Sequence, residues 1–264
     1  MGSATREALA ASKAELSALG TIDLATVSEL FSVVRVIGES AQLRGILSDT
    51  SMESAQKQGA LRAVFGSAIS EKTLDLLAVA VGYRWSSQAD LLDGIEELGL
   101  RAAAQSAPAS ANIESELFEF GTSVSSNASL ELAIGTRQGT DEAKVALVDA
   151  LLASKVSPQT LEIVQQLVRQ PRGRRIGELL RNAAAIVADQ SGHSVAVVTA
   201  AAPISDAQLA RLHKALAASY GRELTINLVI DETLIGGLRV QVGDDVIDDS
   251  VQRKLGELRL QLAG

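Results

Sequence analysis

Leu238-Arg239-Val240-Gln241-Val242-Gly243-Asp244-Asp245-Val246-Ile247-Asp248 is the stretch that decides the fold class. Apolar and polar residues alternate from Leu238 to Val242, the period of a strand with one face covered. Gly243-Asp244 supplies a tight turn into Val246-Ile247. Upstream, Leu224, Ile226, Leu228 and Ile230 alternate with Thr225, Asn227 and Val229, which predicts another strand. Val195–Thr199 is nearly continuous and apolar, the pattern of a strand buried on both faces. Between these, Ser205-Asp-Ala-Gln208 has the spacing of a capping box and opens a helix carrying Leu209, Leu212 and Leu216. Val251, Leu255, Leu258 and Leu262 form the stripe of a last amphipathic helix. Residues 192–264 therefore read as a small mixed unit of order β-α-β-β-β-α.

Before residue 192 the period is helical throughout. Thr5–Leu19 predicts a first helix stopped by Gly20, and Leu24–Ser40 a second that runs on into Gln42–Asp49. Met52–Phe65 predicts a third. Ser70 caps a fourth carrying Leu74, Leu77 and Val81, and Leu91, Leu92, Ile95 and Leu98 mark a fifth. Ser106-Ala-Pro108-Ala-Ser110 is a short break. The expected class is α+β: a helical bundle over 1–105, a second helical unit over 106–191, and the small mixed unit over 192–264.

The second helical unit reads as a copy of the first. A shift of 87 residues places Glu29-Leu30-Phe31 on Glu116-Leu117-Phe118, and Ala41 and Leu43 on Ala128 and Leu130. The same shift places Ser70, Thr73 and Leu74 on Ser157, Thr160 and Leu161, then Val81 and Leu92 on Val168 and Leu179. Ser157 followed by Pro158 is a helix N-cap with proline at the first helical position, matching the start at Ser70.

Composition narrows the chemistry. In 264 residues there is no cysteine, which removes disulfides, thiolate metal sites and cysteine nucleophiles. A formal charge of −8 opposes a broad nucleic-acid or anionic-membrane surface. No apolar run approaches the ~20 residues that span a bilayer, so a soluble chain is expected. His193 and His213, the two histidines, lie apart from one another and from any metal-ligand spacing. No nucleophile elbow or phosphate loop is present. Gly236-Gly237 lacks the third glycine and following helix of a dinucleotide fingerprint, and reads as a backbone bend before Leu238. Asp244, Asp245, Asp248 and Asp249 miss the EF-hand spacing. No cofactor and no catalytic group are expected. The basic cluster Arg169, Arg172, Arg174, Arg175 and Arg181 lacks interleaved aromatics, which favours an inter-helix loop meeting carboxylates. It also supports a second reading, a helical nucleic-acid-binding or regulatory interaction protein.

Ile230-Asp231-Glu232-Thr-Leu234-Ile235-Gly236-Gly237-Leu238-Arg239-Val240-Gln-Val242-Gly243-Asp244-Asp-Val246-Ile247-Asp248-Asp-Ser250-Val251-Gln-Arg253-Lys-Leu255 resembles the signature of the delta subunit of bacterial F-type ATP synthase, the family of the mitochondrial oligomycin-sensitivity-conferring protein. Asp231, Gly236, Gly237, Gly243, Asp248 and Ser250 belong to it. Val195–Ala202 with Pro203-Ile204-Ser205 resembles the strand and helix start before that signature. Leu167-Val168-Arg169 and Arg174-Arg175-Ile176-Gly177-Glu178-Leu179-Leu180 resemble the end of the family's helical bundle. The doubled helical region departs from the familiar single bundle and resembles long forms from high-GC Gram-positive bacteria.

The resemblance implies a non-catalytic stator subunit, peripheral on the cytoplasmic face of the cell membrane, with no insertion into the bilayer. Its implied partners are the N-terminal segments of the alpha subunits, gripped by the helical region, and the end of the b subunit, held by the C-terminal unit. Nucleic acid is not among them. For the alpha segment, a groove between the first and fifth helices is expected, walled by Ala8, Leu9 and Leu16 on one side and Leu91, Leu92, Ile95 and Leu98 on the other. For the b subunit, the hairpin and last helix offer Leu238, Val240, Val251, Leu255, Leu258 and Leu262.

Overall fold

The computed structural model describes residues 2–248 apart from 109, 136–138, 192–193, 221–223, 232–233, 235–236 and 243–244. The chain divides into two compact units, Met1–Val187 and Ala188–Gly264. The first unit joins both helical segments over one continuous core, so the sequence break near Pro108 does not separate two independently packed bodies.

Eleven helices are described up to the end of that unit: α1 (Ser3–Ala18), α2 (Leu24–Glu39), α3 (Ala41–Ser48), α4 (Ser54–Phe65), α5 (Glu71–Gly82), α6 (Gln88–Ser106), α7 (Ile113–Ser126), α8 (Ala128–Gly135), α9 (Asp141–Leu152), α10 (Pro158–Arg169) and α11 (Ile176–Gln190). The first segment thus holds six helices where the periodicity predicted five. Ser40 makes the difference. Its backbone is extended, which ends α2, while its hydroxyl accepts the Leu43 N–H and caps α3. A serine inside an apolar stripe leaves the hydrophobic period intact while redirecting the chain. Gly20, after α1, takes φ +68°, a left-handed turn that glycine enters without steric cost.

Asp23 caps α2 by accepting the Thr26 N–H at 2.9 Å and the Thr26 hydroxyl at 2.8 Å. These bonds, the backbone one foremost, hold its carboxyl below the ordinary carboxylate value. A carboxyl lowered in the folded state stabilises the fold above its unfolded pKa and loses that contribution as pH falls through the folded value. Asp23→Ala is therefore expected to cost about 1 kcal/mol at neutral pH. The difference from the parent should shrink below about pH 4. Urea midpoints measured at pH 7 and pH 3 check this, and an equal difference at both would refute it.

The 87-residue shift recurs in helix boundaries and in one set of hydrogen bonds. α3, α4 and α5 recur as α8, α9 and α10 with every boundary displaced by 87 residues. In the first copy the Glu29 carboxylate accepts from the Ser70 N–H and hydroxyl and from the Thr73 hydroxyl, tying α2 to the start of α5. In the second, Glu116 accepts from the Ser157 N–H and hydroxyl and from the Thr160 hydroxyl, tying α7 to the start of α10. Three residues conserve one clasp at one spacing.

The same shift carries α1 onto residues 90–105, which lie within α6. α6 is therefore the last helix of the first copy and takes the place of the first helix in the second. Its burial shows both duties. The buried residues of α1, namely Thr5, Ala8, Leu9, Ser12 and Leu16, map onto Leu92, Ile95, Glu96, Gly99 and Ala103, all buried. Leu91, Leu98, Leu100 and Ala102 are buried as well, so α6 is enclosed on nearly every side.

In the second unit β1 (Ser194–Ala200), α12 (Asp206–Tyr220), β2 (Leu224–Ile230), β3 (Leu238–Val242) and β4 (Asp245–Asp248) form a four-stranded sheet of order β2-β1-β3-β4. β1 and β2 are parallel, joined through α12 as a parallel pair requires, whereas β3 runs antiparallel to β1 and β4 to β3. Ala196, Val198, Leu224, Val240 and Val242 make the core with Leu216 of α12. Val197 and Thr199 on the opposite face are only half-buried, so β1 is covered fully on one face, not both. The helix expected over 251–262 lies outside the described residues.

Candidate partner-binding surfaces

The seven residues expected to wall an alpha-binding groove are all in the core. Ala8, Leu16, Leu91, Ile95 and Leu98 have no exposed surface, and Leu9 and Leu92 are 7% exposed. The structure does bring the two sets together, since α1 packs on α6; a small cavity opens along that contact, lined by Thr5 and Leu9 of α1 and by Asp90, Gly94 and Glu97 of α6, and of the seven residues Leu9 alone lines it. A helix reaching them would have to part α1 from α6.

The open groove lies on the other flank of α1. Ala11, Ala14 and Glu15 of α1 face Val79, Gly82 and Tyr83 at the end of α5, and Ser54 and Gln58 of α4 close one side. None of these eight residues is buried. The small residues make the trough. At Gly82 a Cβ would come within 2.7 Å of the Ser54 hydroxyl and 3.1 Å of the Gln58 carboxamide, so glycine lets α5 approach α4 closely. Tyr83, 39% exposed, stands at the rim as a large side chain without cover. The hydrophobic stripe gives no sign of this site, because apart from Val79 and Tyr83 it is lined by alanine, glycine and polar side chains. The usable signal was the run of small residues at i and i+3 on α1.

Two of the five arginines of the cluster are paired with carboxylates. Arg172 meets Asp93 and Glu96, each at 2.8 Å, and Arg174 donates to both Glu96 oxygens at 2.9 and 3.1 Å. Glu96 lies on α6, so the loop before α11 is fastened to the helix that both copies share. Burial draws the Arg172 guanidinium below its ordinary pKa, against the favourable charge of Glu96. Arg175 and Arg181 are exposed. Among the described residues, no group of three or more His, Cys, Asp or Glu could hold a metal ion.

In the second unit Val240 is buried in the sheet and Leu238 packs half-buried beside it. Gly237 takes φ +88° at the entry to β3, the bend expected of it. The Asp231 N–H donates to the Ala200 carbonyl, continuing the β1–β2 pairing, and Asp248 stands opposite Arg239 on β4. Gly236, Gly243, Ser250, Val251, Leu255, Leu258 and Leu262 lie outside the described residues.

The family model described as the ATP synthase delta (OSCP) subunit matches residues 99–262. The chain is 50% identical over its full length, and over the whole of its relative, to the ATP synthase subunit delta of Leifsonia xyli subsp. xyli. The chain belongs to the ATP synthase delta (OSCP) subunit family. The subunit delta of Streptomyces griseus subsp. griseus is 38% identical, again across the whole of both chains. A chain from the Toxoplasma gondii mitochondrial ATP synthase hexamer aligns over 64% of this chain and 96% of its own, at 16% identity and a TM-score of 0.43.

As an ATP synthase delta subunit the chain is a non-catalytic part of the stator, a peripheral component of the complex. Among the described residues no helix is long and apolar enough to cross a membrane. The family match begins inside α6, at residue 99, and runs through α7–α11 into the second unit, while α1–α5 precede it.

Proposed function

We propose that this delta subunit fastens the catalytic head to the peripheral stalk through two surfaces, on the cytoplasmic face of the membrane. The groove between α1 and α5 takes an amphipathic helix, the N-terminal segment of an alpha subunit. The C-terminal unit, through its hairpin and the 251–262 segment, holds the end of the b subunit. Residues 1–105 then supply the grip on the head, 106–191 brace it, and 192–264 reach the stalk.

The observation that carries the first surface is the open trough itself. Two helices present alanines and a glycine to solvent, with an exposed tyrosine at the rim. A groove of this kind accepts a helix through apolar anchors at i, i+3, i+4 and i+7. The subunit must resist rotor torque, and an interface that buries apolar side chains resists pulling better than a screened surface ion pair.

Calorimetry of the full chain with a synthetic alpha N-terminal peptide tests this. Ala14→Glu, placing a charge in the trough at an exposed position, is expected to weaken binding at least tenfold, about 1.4 kcal/mol or more. Absence of binding by the parent chain, or unchanged affinity of Ala14→Glu, refutes the groove. Removing residues 250–264 is expected to abolish b-subunit capture while alpha-peptide binding persists. Retained capture refutes that half.

A further inference from the structure

The open groove of the first repeat has a counterpart 87 residues on, between α6 and α10. In both frames a side chain at the start of the later helix reaches back to a carbonyl at or just beyond the end of the earlier one, from equivalent positions but to acceptors two residues out of register. At the first, the Lys72 ammonium donates to the Thr21 carbonyl, joining the start of α5 to the connection that follows α1. At the second, Gln159, the counterpart of Lys72, donates to the Ser106 carbonyl, joining the start of α10 to the end of α6. Yet the second groove is not open. Five of its eight counterpart residues, Leu98, Arg101, Ala102, Val145 and Gln166, are buried where none of the first groove's residues is, while Asp141, Arg169 and Gln170 at its rim are not.

On its α10 side it is covered by α2. The Phe31 ring lies on Gly99 of α6, so closely that a Cβ there would overlap it. Arg35 Nη1 donates to Gln166 Oε1 of α10 at 2.5 Å, and Gly38 sits against the Gln170 carboxamide just beyond α10. These contacts fall at i, i+4 and i+7 of α2, the spacing of a helix laid in a groove. Arg35 to Gln166 and Gly38 to Gln170 ascend together, so α2 runs parallel to α10. Val27, Leu30, Val33 and Val34 bury α2 further in the common core, which fixes it as a permanent occupant.

We infer that the second repeat's groove is a helix-docking site already filled by the chain's own α2. Of the two grooves related by the repeat, the α1/α5 groove is then the one left open among the described residues, and the helix taken there runs parallel to α5 as α2 runs parallel to α10. The inference rests on the α1/α5 groove being the seat of an alpha-subunit helix. It adds capacity and direction: one alpha segment per delta subunit, its C-terminal end toward Tyr83.

Calorimetry of the full chain with the synthetic alpha N-terminal peptide is expected to give a stoichiometry of one. Val79→Glu, at the half-exposed counterpart of Gln166, should lower affinity at least tenfold with unchanged circular dichroism. Should that variant not fold, Tyr83→Glu at the exposed rim takes its place. Gln166→Glu keeps a partner for Arg35 and should bind within twofold of the parent. A benzophenone at the peptide's C-terminal end should crosslink near Tyr83, and one at its N-terminal end should not. A stoichiometry of two, or a Gln166→Glu loss as large as that of Val79→Glu, overturns the single-groove inference while leaving alpha binding intact. Reversed crosslinks overturn the direction. No binding at all overturns the docking reading and this inference with it.

Discussion

Phe31→Ala is expected to destabilise the first unit by about 3–5 kcal/mol. Phe31 has no exposed surface and packs where α2 crosses α6. Truncation removes the apolar area of a full aromatic ring and leaves a cavity that α2 and α6 cannot collapse into freely, since each is held on other sides. The effect should reach the second repeat, because α6 is shared and α2 also lies on α10. The single tryptophan, Trp85, is 3% exposed in this unit, and its indole N–H donates to the Ala80 carbonyl. Its fluorescence during urea unfolding therefore reports on this unit and not on the C-terminal sheet. A single transition at a lower midpoint is expected. A loss below about 1 kcal/mol would contradict the packing argument, and two separated transitions would contradict the shared helix.

Glu96→Ala is expected to cost about 3 kcal/mol by the same measurement. The Glu96 side chain is 4% exposed and holds two guanidiniums, those of Arg172 and Arg174, whose side chains are 19% and 30% exposed. Without it the two cations share only Asp93, itself half-exposed. The penalty is less that of a lost bond than that of a buried guanidinium left without its countercharge. A rescue separates these causes. Arg172→Met combined with Glu96→Ala should recover part of the loss, because removing both ends of a buried pair costs less than removing one. A double variant weaker than Glu96→Ala alone would show that Arg172 contributes by packing instead. Salt should change little, since a buried pair is poorly screened.

Much of this was legible in the residues. The change from period 3.6 to period two near residue 192 separated bundle from sheet. The caps at Ser70 and Ser157 and the glutamates at 29 and 116 carried the duplication, because a clasp of three residues leaves its own spacing in the chain. The 230–255 stretch carried the family. Helix number was misread at Ser40 alone, where a hydroxyl took over the capping of a new helix without disturbing the apolar stripe.

The candidate site was less legible, for a physical reason. Periodicity tells which face of a helix avoids water, not which neighbour covers that face. Leu91, Ile95 and Leu98 read equally well as a groove wall and as a core, and tertiary packing made them core. The trough that stays open is built from Ala11, Ala14 and Gly82, which carry little hydrophobic signal and matter for what they leave empty. Sequence by itself determined the α+β class, the repeat and the family. Only the tertiary structure decided that α6 serves two bundles and that α2 fills the second groove while the first stays open. Those facts depend on contacts between residues far apart in the chain, which no local pattern encodes.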